Sequence, residues 1–245
     1  MLSIVGTGKM AQAIIKGLKD RFEIEVVGRD LKKLKKIESK NISIKTFEDF
    51  SPNEKTIILA IKPNALNDIS KYLNGSDTII SILAGVSLEI LKNKINAKSY
   101  IRAMPNLAAI YKKSMTTITG DKSKKDMSLE IFKAIGNVVW VETQKELDIA
   151  TAIAGSGPAF LALVAEAMMD AGVKEGLKRE LSKELVEGLF DGFKDLLKNS
   201  HPAILKDEVM SPAGTTAQGY AALEDGKVRA AFLKAINLAF KKTRQ

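Results

Sequence analysis

The sequence predicts an α/β fold, in which an N-terminal doubly wound sheet is followed by a C-terminal domain made only of helices. Up to about Val141, short runs rich in β-branched residues alternate with helical patterns, as in a largely parallel sheet with crossover helices. From Leu147 to Ala239 the periodicity is helical throughout. These two observations place a domain boundary near Thr143 and divide the chain into residues 1–143 and 144–245.

Seven strands are predicted in the N-terminal domain. The run Ile57–Ile61 is continuously apolar, as expected where helices cover both faces of a sheet. The predicted strands are Leu2–Val5, Ile24–Val27, Thr56–Ile61, Thr78–Leu83, Tyr100–Ala103, Met115–Thr119 and Val138–Val141.

The first strand is followed directly by Gly6, Thr7, Gly8, Lys9, Met10 and Ala11. This segment opens a helix that runs to about Leu18, which is the strand-turn-helix context of a dinucleotide fingerprint. Gly6 permits a tight turn, Gly8 lets the backbone approach a pyrophosphate, and Ala11 lets the helix pack closely on the strand. Free amides at the helix N-terminus can then bind phosphates, so we predict a nicotinamide dinucleotide here. A glycine pair by itself is often only a turn.

The end of the second strand predicts which dinucleotide is bound. Arg29 comes first after this strand and would pair with a 2′-phosphate, which favours NADPH over NADH. We expect Asp30 to cap the following helix rather than to bind a ribose. The alternative is a solvated arginine with no ligand.

Three further loops leave the carboxyl edge of the same sheet, where open α/β sheets bind ligands. They are Lys62-Pro63, Ala84-Gly85 and Met104-Pro105-Asn106. The two prolines could instead serve only to end strands.

The C-terminal domain begins with an unusually apolar helix, predicted from Pro158 to about Asp170 with Gly172 just after its end. A helix that is apolar all round must be buried, and about 100 residues would struggle to bury it alone. We therefore predict a homodimer or higher homo-oligomer. The residues concerned are Phe160, Leu161, Leu163, Val164, Met168 and Met169.

Composition excludes several kinds of chemistry and predicts a cytoplasmic protein. The chain has no cysteine and a single histidine, His201, so thiolate chemistry and a multi-histidine metal cage are impossible. We expect no metal. No secretory leader is recognised at the N-terminus, and the longest apolar run, Pro158–Ala165, is too short to span a membrane. The net charge of +9 comes from scattered lysines, which suits an anionic cofactor and a carboxylate substrate better than nucleic acid.

A small-residue turn in the segment from His201 to Thr216 precedes another helical run. Gly214, Thr215 and Thr216 offer free amides and two hydroxyls, which suit a carboxylate. The alternative is an ordinary helix N-cap.

Five segments, in order and spacing, resemble the pyrroline-5-carboxylate reductase family over essentially the whole chain. The glycine turn is shared by many reductases, whereas the last segment is specific to this family. The segments are Val5–Ala11, Arg102–Asn106, Gly155–Ala159, Asp170–Val173 and His201–Pro-Ala to Ser211–Thr216.

The resemblance implies an enzyme that transfers a hydride from NADPH, or from NADH, to the imine carbon of 1-pyrroline-5-carboxylate and so makes L-proline. It implies that the Thr216 hydroxyl donates to the imine nitrogen. It places the substrate carboxylate against Ser211 and the amides of Gly214, Thr215 and Thr216, and it implies interlocked C-terminal helices in a dimer. The residues it assigns to the cofactor are Ala60, Lys62 and Ala84 along the groove and Met104, Pro105 and Asn106 beside the nicotinamide.

Three positions depart from the family pattern. Lys9 replaces a small or amide residue in the glycine turn, Leu107-Ala108 replaces a usual Thr-Pro, and Ala213 replaces a usual glycine. We expect the neighbouring Gly214 to keep the flexible backbone position.

Other functions stay open from the residues. A β-hydroxy acid dehydrogenase shares the two-domain plan, but it normally has a catalytic lysine on the helix after the sheet, and 158–170 contains none. A non-catalytic NADPH-binding regulator would have no reason to retain both Ser211 and Thr216. Reduction of another cyclic imine is also compatible with the sequence.

Overall fold

The N-terminal part of the protein is an eight-stranded sheet. The computed structural model describes residues 2–243. The strands are β1 Leu2–Val5, β2 Ile24–Val27, β3 Ile42–Lys45, β4 Thr56–Leu59, β5 Ser76–Ser81, β6 Ala97–Met104, β7 Ser114–Gly120 and β8 Gly136–Trp140.

Eleven α-helices are found in the described residues. Five cross between strands, and the last six follow the sheet. They are α1 Lys9–Leu18, α2 Leu31–Lys35, α3 Leu66–Ile69, α4 Leu88–Lys94, α5 Lys125–Lys133, α6 Gln144–Ala150, α7 Gly157–Lys174, α8 Arg179–Asn199, α9 Pro202–Val209, α10 Thr215–Asp225 and α11 Val228–Lys242.

The strand order is β3-β2-β1-β4-β5-β6-β7-β8, so the chain winds outward in both directions from the centre of the sheet. All neighbours are parallel except β6 and β7. In the central pair, Leu2 lies opposite Thr56 and Val5 lies opposite Leu59. The predicted doubly wound fold is therefore confirmed, and its switch point lies between β1 and β4, where the order reverses.

Two apolar cores cover the two faces of the sheet. Ile4 and Ile58 point to the face covered by α1 and α5, whereas Ile57 and Leu59 point to the face covered by α3 and α4. Alternate residues of one strand thus enter opposite cores, which explains why Ile57, Ile58 and Leu59 of β4 are all apolar and fully buried.

The edge strand β3 was not predicted. Its sequence Ile-Ser-Ile-Lys is short and alternates apolar with polar residues, and β2 is the one strand of the described chain that it pairs with. An edge strand exposes one side, so it lacks the apolar run that identified the central strands.

The helix α7 is longer than predicted. Gly172 lies inside the helix, and a Cβ there would lie 2.4 Å from the Ser182 hydroxyl oxygen on α8, so glycine at this position allows the two helices to approach closely. The helix ends at Lys174, and Gly176 then adopts a φ of 105°. The absence of lysine therefore holds for 158–170 but not for the whole helix, whose last turn carries Lys174.

Contacts divide the chain into two compact units, one holding residues up to Ser156 with those from Ala239 onward, and the other holding Gly157–Leu238. From Gln144 to Thr243 the described residues form helices and no strand, as predicted. The domain boundary predicted after residue 143 coincides with the start of α6. It stays a prediction, because the division into compact units rests on contacts and falls after Ser156.

Neither α7 nor α10 has a buried residue within the chain. By length and composition the helical stretch Gln144–Lys174 could cross a membrane, with a mean hydropathy of 1.6 and 11% of its most apolar window buried. The helix of a subunit interface can have the same composition, so composition alone does not assign this stretch to a membrane.

One buried ion pair fastens the central strands. Glu25 on β2 is 5% exposed, and its carboxylate accepts from Lys55 Nζ at 2.6 Å and from the Ser3 hydroxyl at 3.0 Å. Lys55 immediately precedes β4, so the pair ties β1, β2 and the start of β4 together. Its ammonium also lies 4.8 Å from the centre of the Phe50 ring.

We predict that Lys55→Met lowers the free energy of unfolding by about 2–4 kcal/mol, because it leaves the Glu25 carboxylate buried without its cation. Lys98→Met is the matched control, since the Lys98–Glu54 pair is exposed and worth at most about 1 kcal/mol. Urea unfolding of both variants measures the difference. Equal losses in the two would contradict the role of burial, and adding Glu25→Gln to Lys55→Met should restore part of the stability.

Candidate active site

A groove of about 540 Å³ lies at the carboxyl edge of the sheet, around the turn between β1 and α1. Four cationic side chains line it against a single carboxylate, that of Asp30. The cations are Lys9, Arg29, Lys33 and Lys62. Because the groove also receives the N-terminal amides of α1, which begins at Lys9, its charge favours an anionic ligand.

The two glycines of the turn have different reasons for being glycine. Gly6 has a φ of 124°, and a Cβ there would lie 2.3 Å from the Ala60 carbonyl oxygen, so only glycine fits. Gly8 has an ordinary φ of −72°, and no atom lies within 4 Å of where its Cβ would project. The fold therefore requires Gly6, whereas Gly8 only leaves the backbone open to a ligand. The groove fits a dinucleotide pyrophosphate for this reason.

Of the remaining residues of the turn, three line the groove and one packs behind it. Thr7, Lys9 and Met10 line the groove, as do Ala60 and Lys62. Ala11 is fully buried behind the turn and does not line the groove. It acts as predicted on packing, by allowing α1 to lie close to the sheet.

The tip of β2 carries the predicted pair of charged residues in separate roles. The Asp30 carboxylate accepts from the amides of Lys32 and Lys33 at 3.0 and 3.1 Å, so it caps α2 as predicted. The Arg29 guanidinium lines the groove and also pairs with Asp68 on α3 at 3.2 Å.

A second cavity, of about 360 Å³, shares Met10, Ala60 and Ile61 with the first groove. The predicted residues Ala84, Met104 and Pro105 line it, because the loops after β5 and β6 end at this same edge. Its other lining residues are Ile82, Thr151, Gly155 and Ser156.

Asn106 supports this cavity without lining it in the described chain. Its side-chain amide donates to the Ala154 carbonyl at 3.0 Å, and its oxygen accepts from the Ala108 amide at 3.1 Å. Ala154 lies in a π-helical turn, Thr151–Gly155, whose wider winding frees carbonyls to accept such bonds. Asn106 therefore joins the loop after β6 to the turn that carries Thr151 and Ser156.

A buried arginine near the end of β6 holds the strand that leads into this loop. Arg102, the third residue from the end of β6, is 3% exposed and donates to Asp148 on α6 at 3.0 Å. Gln144 at the start of α6 accepts from the Leu88 amide at 2.7 Å and donates to Glu89. Hydrogen bonds to Glu89 from its own amide, from Ser87 and from Gln144 lower the pKa of the Glu89 carboxyl.

In the C-terminal unit the predicted substrate residues surround the start of α10. Gly214 is its N-cap, and the Gly214 amide donates to the Ser211 carbonyl at 3.0 Å. A Cβ on Gly214 would lie 2.3 Å from the Ser211 hydroxyl oxygen, so this turn is closed tightly. Within residues 2–243, no protein group bonds the hydroxyl of Thr215 or Thr216, and both residues are exposed. Within the described residues the turn thus presents the free amides and hydroxyls of Thr215 and Thr216, whereas the Gly214 amide is not free as expected, because it is bonded to the Ser211 carbonyl.

The expectation about the flexible position in this turn is wrong. Ala213 itself has the left-handed backbone, with a φ of 58°, whereas Gly214 is extended at −76°. A left-handed residue with a Cβ is disfavoured by about 1 kcal/mol. Gly214 is required for the close approach to Ser211 rather than for its backbone angle.

The one histidine of the chain caps a helix. His201 is the N-cap of α9, and its Nδ1 accepts from the Ala203 amide at 3.3 Å. Pro202 is the first residue of this helix, a position at which proline is well tolerated.

Sequence reasoning missed several residues of the site. Ser156 stands in the segment Gly155–Ala159 that resembles the family and Thr151 lies before it, but no local signal distinguishes their side chains from helix-surface residues. Lys33 lines the groove and Asp68 pairs with Arg29 because of how α2 and α3 return to the sheet edge. No motif within the sequence indicates that return.

Two family models match the chain, one in each half. Residues 144–245 match the model for pyrroline-5-carboxylate reductase dimerisation. Residues 1–85 match the model for NADP oxidoreductase, coenzyme F420-dependent. The first of these agrees with the resemblance seen in the Ser211–Thr216 segment.

Full-length relatives are similar along the entire chain. The pyrroline-5-carboxylate reductase of Helicobacter pylori strain J99 is 36% identical over 255 residues, covering 100% of this chain and 99% of the relative. The structure of the enzyme from Streptococcus pyogenes gives a TM-score of 0.89 at 31% identity, covering 99% and 97% of the two chains. That of the Plasmodium falciparum enzyme with NADP bound gives 0.85 at 29% identity, covering 99% and 96%.

We predict that Gly6→Ala and Gly8→Ala separate folding from ligand binding. Gly6→Ala should lower the free energy of unfolding by about 2 kcal/mol or more, because a Cβ meets the Ala60 carbonyl in a strained backbone. Gly8→Ala should leave stability within about 0.5 kcal/mol while weakening the binding of NADPH. Urea unfolding and fluorescence titration of NADPH measure the two effects. A Gly8→Ala protein that binds NADPH normally would contradict the assignment of the groove.

Proposed function

Because the chain belongs to the pyrroline-5-carboxylate reductase family, we propose that it reduces 1-pyrroline-5-carboxylate to L-proline with NADPH, and with NADH as a second donor. The observation that carries the proposal is the cationic groove around Gly6 and Gly8, which fits a phosphorylated dinucleotide. When bound, the cofactor supplies the hydride that reduces the C=N bond, and a proton joins the ring nitrogen.

The cofactor residues divide by chemistry. The amides at the start of α1, with Lys9 and Lys62, bind the pyrophosphate, and Arg29 binds the 2′-phosphate. The second cavity, which Met104, Pro105, Thr151 and Ser156 line, would hold the nicotinamide ring. Ala84 also lines that cavity, and Asn106 joins the loop after β6 to Ala154 beside it.

The substrate residues lie at the start of α10. The Ser211 hydroxyl and the amides of Thr215 and Thr216 bind the carboxylate, since free amides at a helix N-terminus favour an anion. Gly214 closes the turn through its bond to the Ser211 carbonyl. The Thr216 hydroxyl donates to the imine nitrogen and orients the ring. Its lack of a protein partner in the described chain supports this role, because nothing has to be displaced.

This chemistry needs no strong general acid. A hydrogen bond to the imine nitrogen makes the ring carbon more electrophilic, so the enzyme contributes mainly by holding the reacting carbon in place. That agrees with a chain whose one histidine caps a helix and which has no cysteine. His201 has no step in this scheme.

We propose that the protein is a cytoplasmic homodimer whose C-terminal helices pack against those of a partner subunit. α7 exposes Leu161, Leu163 and Met168, and α8 exposes a stripe spaced by four residues. Such faces on neighbouring helices of one unit favour a protein partner over nucleic acid or a membrane. The stripe consists of Leu181, Leu185, Leu189 and Phe193.

We predict that Thr216→Ala lowers kcat/KM for 1-pyrroline-5-carboxylate by about 100-fold, because the imine nitrogen loses its donor. The loss of NADPH absorbance measures the rate, and NADH is run in parallel. Thr216→Ser retains the hydroxyl and should keep most of the activity. NADPH binding should be equal in all three proteins.

Two results would contradict the proposal in different ways. Full activity of Thr216→Ala would remove this hydroxyl from the chemistry. Tight NADPH binding without turnover of 1-pyrroline-5-carboxylate by the wild type would favour another imine substrate or a regulator.

We predict that Leu189→Glu converts a dimer into a monomer, because a carboxylate cannot be buried in an apolar interface. Light scattering on the full chain should give twice the chain mass for the wild type. Lys194→Gln, on another side of the exposed α8 surface, makes the same change in net charge and should stay dimeric. A monomeric wild type, or recovery of the chain in the membrane fraction, would contradict the proposed homodimer.

A further inference from the structure

The cation assigned to the 2′-phosphate is already part of an ion pair. The Arg29 guanidinium lies 3.2 Å from a carboxylate oxygen of Asp68, and the two side chains are 60% and 66% exposed. Asp68 lies on α3, between Ala65 and Ile69, which both line the groove. The carboxylate therefore stands at the edge of the groove, beside the cation that an incoming phosphate needs.

Asp68 differs from the other carboxylate nearby. The Asp30 carboxylate is committed to capping α2 and lies 3.7 Å from Lys33. Within residues 2–243, Arg29 is the one charged side chain that contacts Asp68. The negative charge of Asp68 is thus balanced by Arg29 alone, and that balance is lost when Arg29 turns to another anion.

We propose that Asp68 is a specificity-determining residue that weakens the binding of the 2′-phosphorylated cofactor, and so brings the affinities for NADPH and NADH closer together. This inference rests on the proposed function, because it takes the groove to be the dinucleotide site. A 2′-phosphate must share Arg29 with Asp68 or displace it, and either arrangement sets a dianion beside a carboxylate. A ribose with a free 2′-hydroxyl does not meet this repulsion.

The competition outweighs any benefit from holding Arg29 in place. The pair has a single hydrogen bond and more than half of each side chain in water, so it orders the guanidinium only weakly. The repulsion acts on a dianion and is reduced but not abolished by salt. Removing the charge of Asp68 should therefore strengthen binding of the phosphorylated ligand.

The test uses Asp68→Asn in the full-length protein, with calorimetric titration of 2′,5′-ADP and of 5′-AMP, which differ only in the 2′-phosphate. The Kd of 2′,5′-ADP should fall by about threefold to tenfold, and that of 5′-AMP should change by less than about twofold. The gain should shrink at high salt. Glu54→Gln makes the same charge change at the exposed Lys98–Glu54 pair and should alter neither Kd.

A second variant isolates the contact. In an Arg29→Ala background, Asp68→Asn should have less effect on the Kd of 2′,5′-ADP than it has in the wild type, because the shared cation is gone. The inference is overturned if Asp68→Asn leaves 2′,5′-ADP binding unchanged or weaker, or if neither nucleotide binds the wild type. Failure to reduce 1-pyrroline-5-carboxylate would contradict the proposed function alone, since both titrations omit that substrate.

Discussion

The close approach between Gly6 and the carbonyl of Ala60 is the constraint on which the cofactor groove depends. β1 and β4 are neighbours at the switch point of the sheet, and the loops that follow the two strands leave its carboxyl edge at the same place. The turn after β1 passes so near the end of β4 that a single methyl group would not fit. This crowding directs the N-terminus of α1 over the sheet edge, and the loop with Ala60 and Lys62 becomes the opposite wall of the groove.

Buried polar contacts carry the same positioning farther along the sheet. Lys55 and Glu25 fasten the start of β4 to β2, and Arg102 fastens the end of β6 to α6. Asn106 then joins the loop after β6 to a π-helical turn. Each contact joins an element that carries lining residues to a neighbouring element, so the walls of the two cavities inherit the rigidity of the core.

Local patterns predicted most of the sheet domain, because a central parallel strand must be apolar on both faces and must end at a common edge. That logic brought Lys62, Ala84, Met104 and Pro105 to one edge of the sheet, whereas Ala60 was assigned through the resemblance. It failed for β3, whose outer side needs no apolar residues, and for the end of α7, where Gly172 packs against Ser182 inside the helix instead of following its end. It also failed for Ala213, since the family pattern does not tell which residue of a turn is left-handed. The place of Asp68 follows from the path of α3 alone.

The unequal surroundings of the two glycines also bear on how this family diverges. A descendant chain that loses Gly6 loses part of its fold, so selection for any function at all retains that residue. Gly8 borders only the groove, and the folded chain itself does not require it. Its replacement by a larger residue would therefore mark relatives that keep the architecture after giving up the dinucleotide, and such a mark could be seen in a genome before any protein is purified.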